Sequence, residues 1–135
     1  MDNFVIRKNP KPLAQAPPVN IYTDGACSNN GKPDARAGFG IYFGEDDERN
    51  VSESFTGLQT NNRAELLAII KALTILRSQI EQGQRINIYT DSSYSIRCCT
   101  TYGEKMLKKG WKNKGKDIPN VEIVKVAYNF CKKHN

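Results

Sequence analysis

Alternating hydrophobic and polar residues predict a short β-strand at two separate places in the chain, and both places carry the same five residues. The sequence Asn-Ile-Tyr-Thr-Asp occurs at 20–24 and again at 87–91. A period of two is typical of a half-buried strand, and each copy ends on an aspartate followed by small polar residues. If the two strands are parallel neighbours, both carboxylates emerge at the carboxyl edge of the sheet, where open α/β sheets bind their ligands.

The residues between and after the two copies predict two more strands and three helices. Strand patterns cover 38–43 and 51–56. A long helix begins after Thr60–Asn62, which are good capping residues, and its helical crossover makes the second pentapeptide parallel to the first. Shorter helices are predicted at 92–99 and from Pro119 onward. The pattern therefore predicts an α/β fold in which an antiparallel meander of three strands is joined by a parallel fourth. The apolar face of the long helix consists of Leu66, Ile69, Ile70, Leu73 and Leu76.

Proline content sets the expected start of the folded domain. Four prolines fall within residues 1–18, which we predict to be a flexible, extended leader. The remaining residues, 19–135, are numerous enough to form one domain with its own core.

The apolar residues and cysteines indicate the expected compartment. No apolar run approaches the length of a membrane span, and the first residues lack the apolar core of a signal peptide. The cysteines form no Cys-x-x-Cys pair, so we expect reduced and mostly buried thiols. We therefore expect an intracellular protein, cytoplasmic or nuclear, with no membrane partner. The cysteines are Cys27, Cys98, Cys99 and Cys131.

The positive charge of the chain is confined to its C-terminal part. Residues 1–99 contain eleven Lys or Arg and eleven Asp or Glu, whereas residues 100–135 contain nine lysines and three acids, which accounts for the net charge of +6. Such asymmetry is typical of a protein that binds a polyanion, although a solvated lysine face would give the same count.

Aromatic residues are interspersed among these lysines. Lysines bind phosphates without reading sequence, and aromatic rings pack on sugars or bases. Trp111 can also be a core residue that holds an irregular segment in place, and we prefer that interpretation for it. The candidate residues for binding nucleic acid are Tyr102, Lys105, Lys108, Lys109, Trp111, Lys112 and Lys114.

A third carboxylate is expected beside the two aspartates. Glu65 lies in the first turn of the long helix, whose N-terminus, packed over the sheet edge, would bring it toward Asp24 and Asp91. Carboxylates gathered in this way repel one another unless a cation lies between them, and oxygen ligands suit Mg²⁺ or Mn²⁺. Each residue also has a simpler interpretation: Glu65 could close a capping box with Asn62, and the two aspartates could be turn formers.

Short polar side chains lie close to the predicted acidic positions. Hydroxyl and amide groups can read sugar hydroxyls and base edges in a shallow groove, but asparagines are also common in loops as turn formers. Tyr94, just past Asp91, could line a strand groove or simply pack. The polar residues are Ser28, Asn29 and Asn30 after the first strand and Gln59, Thr60, Asn61 and Asn62 before the helix.

Five short motifs occur in an order and at a spacing that resemble one enzyme family. They are Tyr-Thr-Asp-Gly-Ala-Cys at 22–27, Ala-Gly-Phe-Gly at 37–40, Gln-Thr-Asn-Asn-Arg-Ala-Glu at 59–65, Tyr-Thr-Asp-Ser at 89–92 and Gly-Trp-Lys at 110–112. Together they resemble type 1 ribonuclease H, which cuts the RNA strand of an RNA–DNA hybrid. The resemblance runs from about Val19 to Cys131 and implies an RNase H-like mixed sheet with helices on both faces.

The resemblance implies hydrolysis assisted by two metal ions. Asp24 would bridge two Mg²⁺ ions, which Mn²⁺ can replace, while Glu65 and Asp91 would each hold one. The backbone of Gly25 would lie at the same centre.

The resemblance also implies a substrate surface. The 2′-hydroxyl groups of the RNA strand would be read by amide side chains, and two tyrosines would line the channel for the DNA strand. The segment that carries the candidate lysines named above, called the lysine segment below, matches a basic protrusion that tightens hybrid binding in cellular members of the family. The implied readers are Asn29, Asn30, Gln59 and Asn61, the tyrosines are Tyr94 and Tyr102, and Cys27, Ser28, Thr60, Asn62 and Ser92 complete the surface.

Members of this family continue past the last helix predicted here, with a fifth strand, a loop carrying a catalytic histidine, and a helix carrying a fourth metal-binding aspartate. We therefore expect a domain that is C-terminally truncated relative to the family, with the fifth strand absent and a free edge on the fourth, open to a homodimer or a complementing chain. Leu58 also stands where some members have a basic residue that holds a DNA phosphate.

Three functions are compatible with these residues. They are a metal-dependent hybrid nuclease, a hybrid-binding module with impaired catalysis, and one part of a split nuclease completed by another chain. The retained carboxylates favour the first over the second, because acids repel the phosphates that a pure binding module would have to hold.

Overall fold

The computed structural model describes residues 11–134, and its centre is a four-stranded mixed sheet. The strands are β1 (Val19–Ser28), β2 (Arg36–Tyr42), β3 (Val51–Ser54) and β4 (Ile86–Tyr89), in the spatial order β3-β2-β1-β4. The first three pair antiparallel, and β4 pairs parallel with β1. The predicted α/β fold is confirmed, except that β1 continues to Ser28 instead of ending at Asp24.

The two copies of the pentapeptide lie side by side and in register. Asn20 pairs with Asn87, and Tyr22 pairs with Tyr89. The Asn87 amide donates a hydrogen bond to Asn20 Oδ1 at 3.0 Å, and the two tyrosine rings stack with their centroids 4.9 Å apart. Because the copies are in register, the aspartates that end them reach the same edge of the sheet.

Helix α1 (Asn61–Ile75) packs on one face of the sheet and contributes more residues to the main core than any other element, and the short helix α2 (Arg77–Glu81) follows it. The apolar face predicted for α1 divides: Leu66 belongs to a second core, and Ile70 is half-buried. The main core comprises Ile21, Phe39, Ile41, Ala68, Ile69, Ala72, Leu73, Leu76 and Ile80.

Three further helices, α3 (Ser93–Cys99), α4 (Thr101–Lys108) and α5 (Val121–Lys133), enclose the second core with α1. Strands β5 (Lys112–Asn113) and β6 (Lys116–Asp117) form a small hairpin between α4 and α5. The second core comprises Leu66, Cys98, Met106, Trp111, Ile118, Ile123, Val124, Ala127 and Tyr128.

The prediction of an irregular segment around Trp111 is wrong. The segment is a helix followed by a hairpin, because apolar residues between its lysines supply an inner face of their own. Met106, Trp111 and Ile118 are all buried, and Trp111 packs edge-on against Tyr128 with ring centroids 6.0 Å apart.

The opposite face of the sheet carries aromatic side chains. Tyr22, Tyr42 and Tyr89 are each about half exposed there. Helices on this second face, implied by the family resemblance, are not found among residues 11–134. Nor is any helix in that range long and apolar enough to cross a membrane.

The described part of the predicted leader contacts the connection between α2 and β4. The Leu13 N–H donates to Gln82 O at 2.8 Å, and the Gln84 side chain donates to Pro17 O at 2.7 Å. Residues 11–17 thus form turns against the domain instead of an extended stretch, while residues 1–10 lie outside the described residues.

Candidate metal centre and nucleic-acid surface

Three carboxylates from three different elements converge at one edge of the sheet. Asp24 comes from β1, Glu65 from α1, and Asp91 from the bend that follows β4. One oxygen of each lies within 4.8 Å of the others. The parallel register of β1 and β4 brings the aspartates together, and the packing of α1 on β1 adds the glutamate.

The simpler interpretations of two of these acids do not fit their surroundings. The N-cap of α1 is Thr60, whose hydroxyl accepts a hydrogen bond from the Arg63 N–H at 3.1 Å. Glu65 therefore lies beyond the first turn, which contains no acid, and forms no capping box with Asn62. Asp24 lies inside β1 opposite Gly40, so it is not a turn former.

The close approach of α1 to β1 depends on Gly25. A Cβ atom at this position would lie 2.5 Å from the backbone nitrogen of Glu65 and 2.7 Å from the carbonyl carbon of Ala64. Backbone atoms cannot yield as the end of a flexible side chain can, so any other residue would push the helix away. The glycine after Asp24 therefore fixes where Glu65 lies relative to the aspartates.

The surroundings of Glu65 favour a bound cation. Burial raises the pKa of Glu65, and the negative charges of Asp24 and Asp91 raise it further, while a backbone hydrogen bond from Gly25 opposes them. Glu65 Oε2 is buried without a hydrogen-bond partner. Within residues 11–134, none of the three carboxylates forms an ion pair with Lys or Arg. A hard divalent cation would satisfy both the unpaired oxygen and the mutual repulsion.

Polar loops form a shallow groove beside this centre. Asn30 Oδ1 accepts a hydrogen bond from the Asn61 N–H at 3.2 Å, which ties the loop after β1 to the start of α1. Leu58, in place of the basic residue of some family members, gives this groove an apolar and strongly exposed side chain. The groove is lined by Asn30, Gly31, Leu58, Thr60, Asn61, Asn62, Pro119 and Asn120.

Besides Asn30, whose side-chain oxygen is bonded to Asn61, two more of the predicted RNA readers form internal hydrogen bonds. Gln59 Oε1 accepts from the Ala37 N–H at 2.8 Å, and its amide nitrogen donates to Phe55 O and Gly57 O. Asn29 is in the left-handed conformation and donates to Asp34 Oδ2 at 3.1 Å. Gln59 therefore shapes the loop before α1 instead of presenting its amide to a ligand.

The other small polar candidates near the edge also have local partners. Cys27 Sγ donates to Gln59 O at 3.6 Å, and Ser28 Oγ donates to Arg36 O at 3.3 Å. The Ser92 hydroxyl accepts from the Ser95 N–H at 3.1 Å and so caps α3. These contacts order the loops around the carboxylates.

Sequence reasoning missed Asn120, which connects the groove to the second core. Its amide donates to the Tyr94 hydroxyl at 3.2 Å, and its Oδ1 accepts from Arg63 Nη1 at 3.1 Å. Arg63 also pairs with Glu122 at 2.6 Å, a hydrogen bond that lowers the pKa of Glu122. The Pro-Asn turn was predicted only as a helix start, but the left-handed conformation of Asn120 directs its side chain to α1 and α3 instead of capping α5.

The aromatic candidates for nucleic-acid binding all lie in or against the second core. Trp111 is only 8% exposed, so of the two interpretations the core one holds, and its ring is not free to stack on a base. Tyr94 and Tyr102 are half-buried and pack against the same core, and burial raises the pKa of Tyr94 to about 12.

The lysine candidates, in contrast, form an exposed cationic surface on α4 and the hairpin. Lys105, Lys108, Lys109, Lys112 and Lys114 are all exposed. Lys108 pairs with Glu104 at 3.7 Å, and Lys112 pairs with Asp117 at 3.7 Å. Such exposed pairs are weak and leave the positive field of the segment largely intact.

Known proteins match both the sequence and the fold. The sequence model of the family described as RNase H matches residues 16–135. Ribonuclease H1 of Rattus norvegicus is 42% identical over 105 residues, which cover 77% of this chain and 36% of the rat protein. The structure of LC9-RNase H1, a type 1 RNase H with the type 2 active-site motif, aligns with a TM-score of 0.57 and 25% identity over 87% of this chain and 60% of its own.

A third similarity concerns the fold alone. Foamy viral protease-reverse transcriptase in complex with RNA/DNA hybrid aligns with a TM-score of 0.66 and 20% identity, covering 99% of this chain and 19% of that one. With its family model, fold and carboxylate edge in agreement, the chain belongs to the RNase H family. It spans 36% to 44% of the length of the mammalian relatives that it matches.

Proposed function

We propose that this chain is a metal-dependent endoribonuclease that hydrolyses the RNA strand of RNA–DNA hybrids. The observation that carries the proposal is the convergence of Asp24, Glu65 and Asp91 within 4.8 Å in a chain of the RNase H family. Support for the substrate comes from the foamy viral relative in fold, which was solved with an RNA/DNA hybrid.

The proposed cofactor is a pair of Mg²⁺ ions, which Mn²⁺ can replace, held by Asp24, Glu65 and Asp91. Their all-oxygen donors and the unpaired, buried Glu65 Oε2 fit hard divalent cations better than zinc. Bound there, such ions supply charge neutralisation at the scissile phosphate and a water of lowered pKa.

The chain's own side chains would then bind and orient the hybrid. Asn30 and Asn61 lie in the groove beside the carboxylates, where amide groups can read 2′-hydroxyls. The exposed lysines of α4 and the hairpin would bind phosphates and so raise affinity without selecting sequence. Tyr94 and Tyr102 would support this surface from the second core.

Cleavage of a labelled RNA–DNA hybrid in the presence of Mg²⁺ tests the proposal, with single-stranded RNA and chelated metal as comparisons. We expect Asp24→Asn to lower the single-turnover rate of cleavage by roughly 10³-fold or more, because it removes a ligand of the proposed Mg²⁺ ions, which would stabilise the transition state. Glu81→Gln is the matched control, since it removes an exposed carboxylate of α2 and leaves the rate unchanged.

Other outcomes of this assay identify the alternatives. Tight hybrid binding without cleavage by the wild type would favour the binding module. Cleavage that appears only when a second chain is added would favour the split nuclease.

We also propose association through β4, whose outer edge has no partner strand among residues 11–134. Apolar side chains, including Ile86, Ile88 and Phe130, line a groove of about 640 Å³ along this edge. A second copy or a complementing chain that adds a strand there would cover them. Light scattering across a concentration series tests self-association, and a mass that stays monomeric throughout would exclude the homodimer.

A further inference from the structure

Two half-buried cysteines on neighbouring helices form a pair that the proposed reaction does not use. Cys99 is the last residue of α3, and Cys131 lies near the C-terminal end of α5. Both pack against the main core, and both line one surface cavity together with Thr100, Tyr128 and Lys132.

Helices α3 and α5 pack against each other, and the two thiols line the same cavity between them. Their hydrogen bond raises the pKa of Cys99, which burial raises further, and it lowers the pKa of Cys131. Cys131 is thus the better nucleophile of the two, because the thiolate is the reactive form. It also lines the groove beside β4, so small disulfides can reach it from two sides.

The other two cysteines are engaged elsewhere. Cys98 is fully buried in the second core, against which Tyr94 packs. Cys27 lies on β1 and its Sγ donates to Gln59 O. The geometry therefore selects Cys99 and Cys131, although Cys98 is adjacent in sequence.

We propose that Cys99 and Cys131 form a reversible disulfide that links α3 to α5 under oxidising conditions. The Cys131 thiolate attacks glutathione disulfide, which breaks its S–S bond, releases one glutathione and leaves a mixed disulfide on Cys131. The Cys99 thiolate then attacks Cys131 Sγ and releases the second glutathione. The two cysteines lose two electrons and two protons, and glutathione disulfide is reduced to two glutathiones.

This bond closes a loop that contains α4, the hairpin and most of α5. It would restrict the unfolded chain and hold the base of the lysine surface against the main core. We expect the oxidised protein to unfold roughly 10 °C above the reduced protein. The effect requires no nucleic acid, so it is measured independently of nuclease activity.

The test is oxidation of the whole chain with glutathione disulfide, followed by alkylation of free thiols in denaturant, intact mass and peptide mapping. We expect two alkylated cysteines instead of four, a peptide that joins Cys99 to Cys131, and full reversal by dithiothreitol. Cys27→Ser is the matched control and keeps the bond, whereas Cys131→Ser loses both the bond and the rise in unfolding temperature.

Three results would overturn the proposal: four alkylated cysteines after oxidation, a bond from Cys98 to Cys131, or glutathione retained on Cys131 without closure. If Cys131→Ser does not fold, as judged by circular dichroism, the peptide map of the wild type decides alone. An unchanged unfolding temperature after complete oxidation would overturn the predicted stabilisation.

Discussion

The carboxylate centre and the lysine segment are the two regions proposed to meet nucleic acid, and they are built in different ways. The centre rests on the ten-residue strand β1 and the fifteen-residue helix α1. The lysine segment consists of the short helix α4 and two strands of two residues each. Trp111, Lys114 and Asn120 in and after that segment have positive φ angles of 65°, 53° and 60°.

The difference shows how each region keeps its shape. The β1–β2 ladder fixes Asp24, and Asp91 follows the end of β4 by two residues, so little tolerance is left where metal ligands must converge. The lysine segment has only short elements with few backbone hydrogen bonds between strands. The buried side chains of Met106, Trp111 and Ile118 hold it in place. We therefore expect changes at the centre to affect chemistry and changes in the segment to affect stability or affinity.

Removing the main anchor of the lysine segment is expected to have the largest effect on stability. Trp111→Ala deletes a buried ring that packs on Tyr128 and should lower the free energy of unfolding by about 3–5 kcal/mol. Tyr42→Ala is the control, since Tyr42 is 49% exposed. Denaturant unfolding measures both variants. Equal losses would show that Trp111 is not an anchor.

The contact between β1 and α1 gives the sharpest test of rigidity at the centre. Gly25→Ala places a methyl group against the backbone of α1 and should cost about 2–3 kcal/mol in stability and weaken Mg²⁺ binding. At Gly40 the nearest atom to an added Cβ is Val51 O at 3.6 Å, so Gly40→Ala is the matched control. Calorimetric titration with Mg²⁺, alongside denaturant unfolding, compares the two. Normal Mg²⁺ affinity in Gly25→Ala would contradict the role of this glycine.

The lysines should change affinity without changing chemistry. Replacing Lys105, Lys109 and Lys114 together by Gln should weaken hybrid binding roughly tenfold at physiological salt. The slope of the logarithm of the binding constant against the logarithm of the salt concentration should become shallower by up to about 3, because each phosphate contact releases a counterion. The rate at which bound hybrid is cleaved should stay unchanged. A triple Gln variant elsewhere removes the same charge and should leave the slope intact; its positions are Lys71, Arg77 and Lys125.

The smallest expected effect is the pH dependence caused by Glu65. Its pKa in the folded chain lies above the ordinary value of 4.5, chiefly through burial, so the folded state binds this proton more tightly than the unfolded state. Stability of the metal-free protein should therefore fall as pH rises from about 4.5 through the raised pKa, by about 1–3 °C in unfolding temperature. Glu65→Gln should remove this part of the decline, and identical melting curves for both proteins across that range would contradict it.

The repeated pentapeptide made the sheet edge predictable. Two identical strands with a helical connection allow few arrangements, and parallel pairing in register places both aspartates together. The convergence of Glu65 with them was also predicted, from a helix packed over the edge, but what permits such close packing was not. It depends on Gly25, whose need for close backbone contact is invisible without the helix beside it.

Local side-chain roles were less predictable than the positions of the elements. Gln59 and Asn120 have similar amide groups, yet Gln59 uses its amide inside the loop, while Asn120 joins α1 to α3. Which partner an amide finds is decided by groups distant in sequence, so composition cannot assign it. The helix and hairpin of the lysine segment were missed for a related reason, since their apolar anchors are sparse and pack on α5.

The sequence alone determined the strand order, the parallel pair and the edge at which the acids lie, because periodicity and chain connectivity are local or topological properties. Only the tertiary structure decided that Trp111 is buried, that α1 approaches β1 closely enough to bury Glu65 Oε2, and that Cys99 lines one cavity with Cys131 while Cys98 is buried in the second core. These outcomes depend on how elements far apart in the chain pack together, and packing is set by shape and volume in three dimensions.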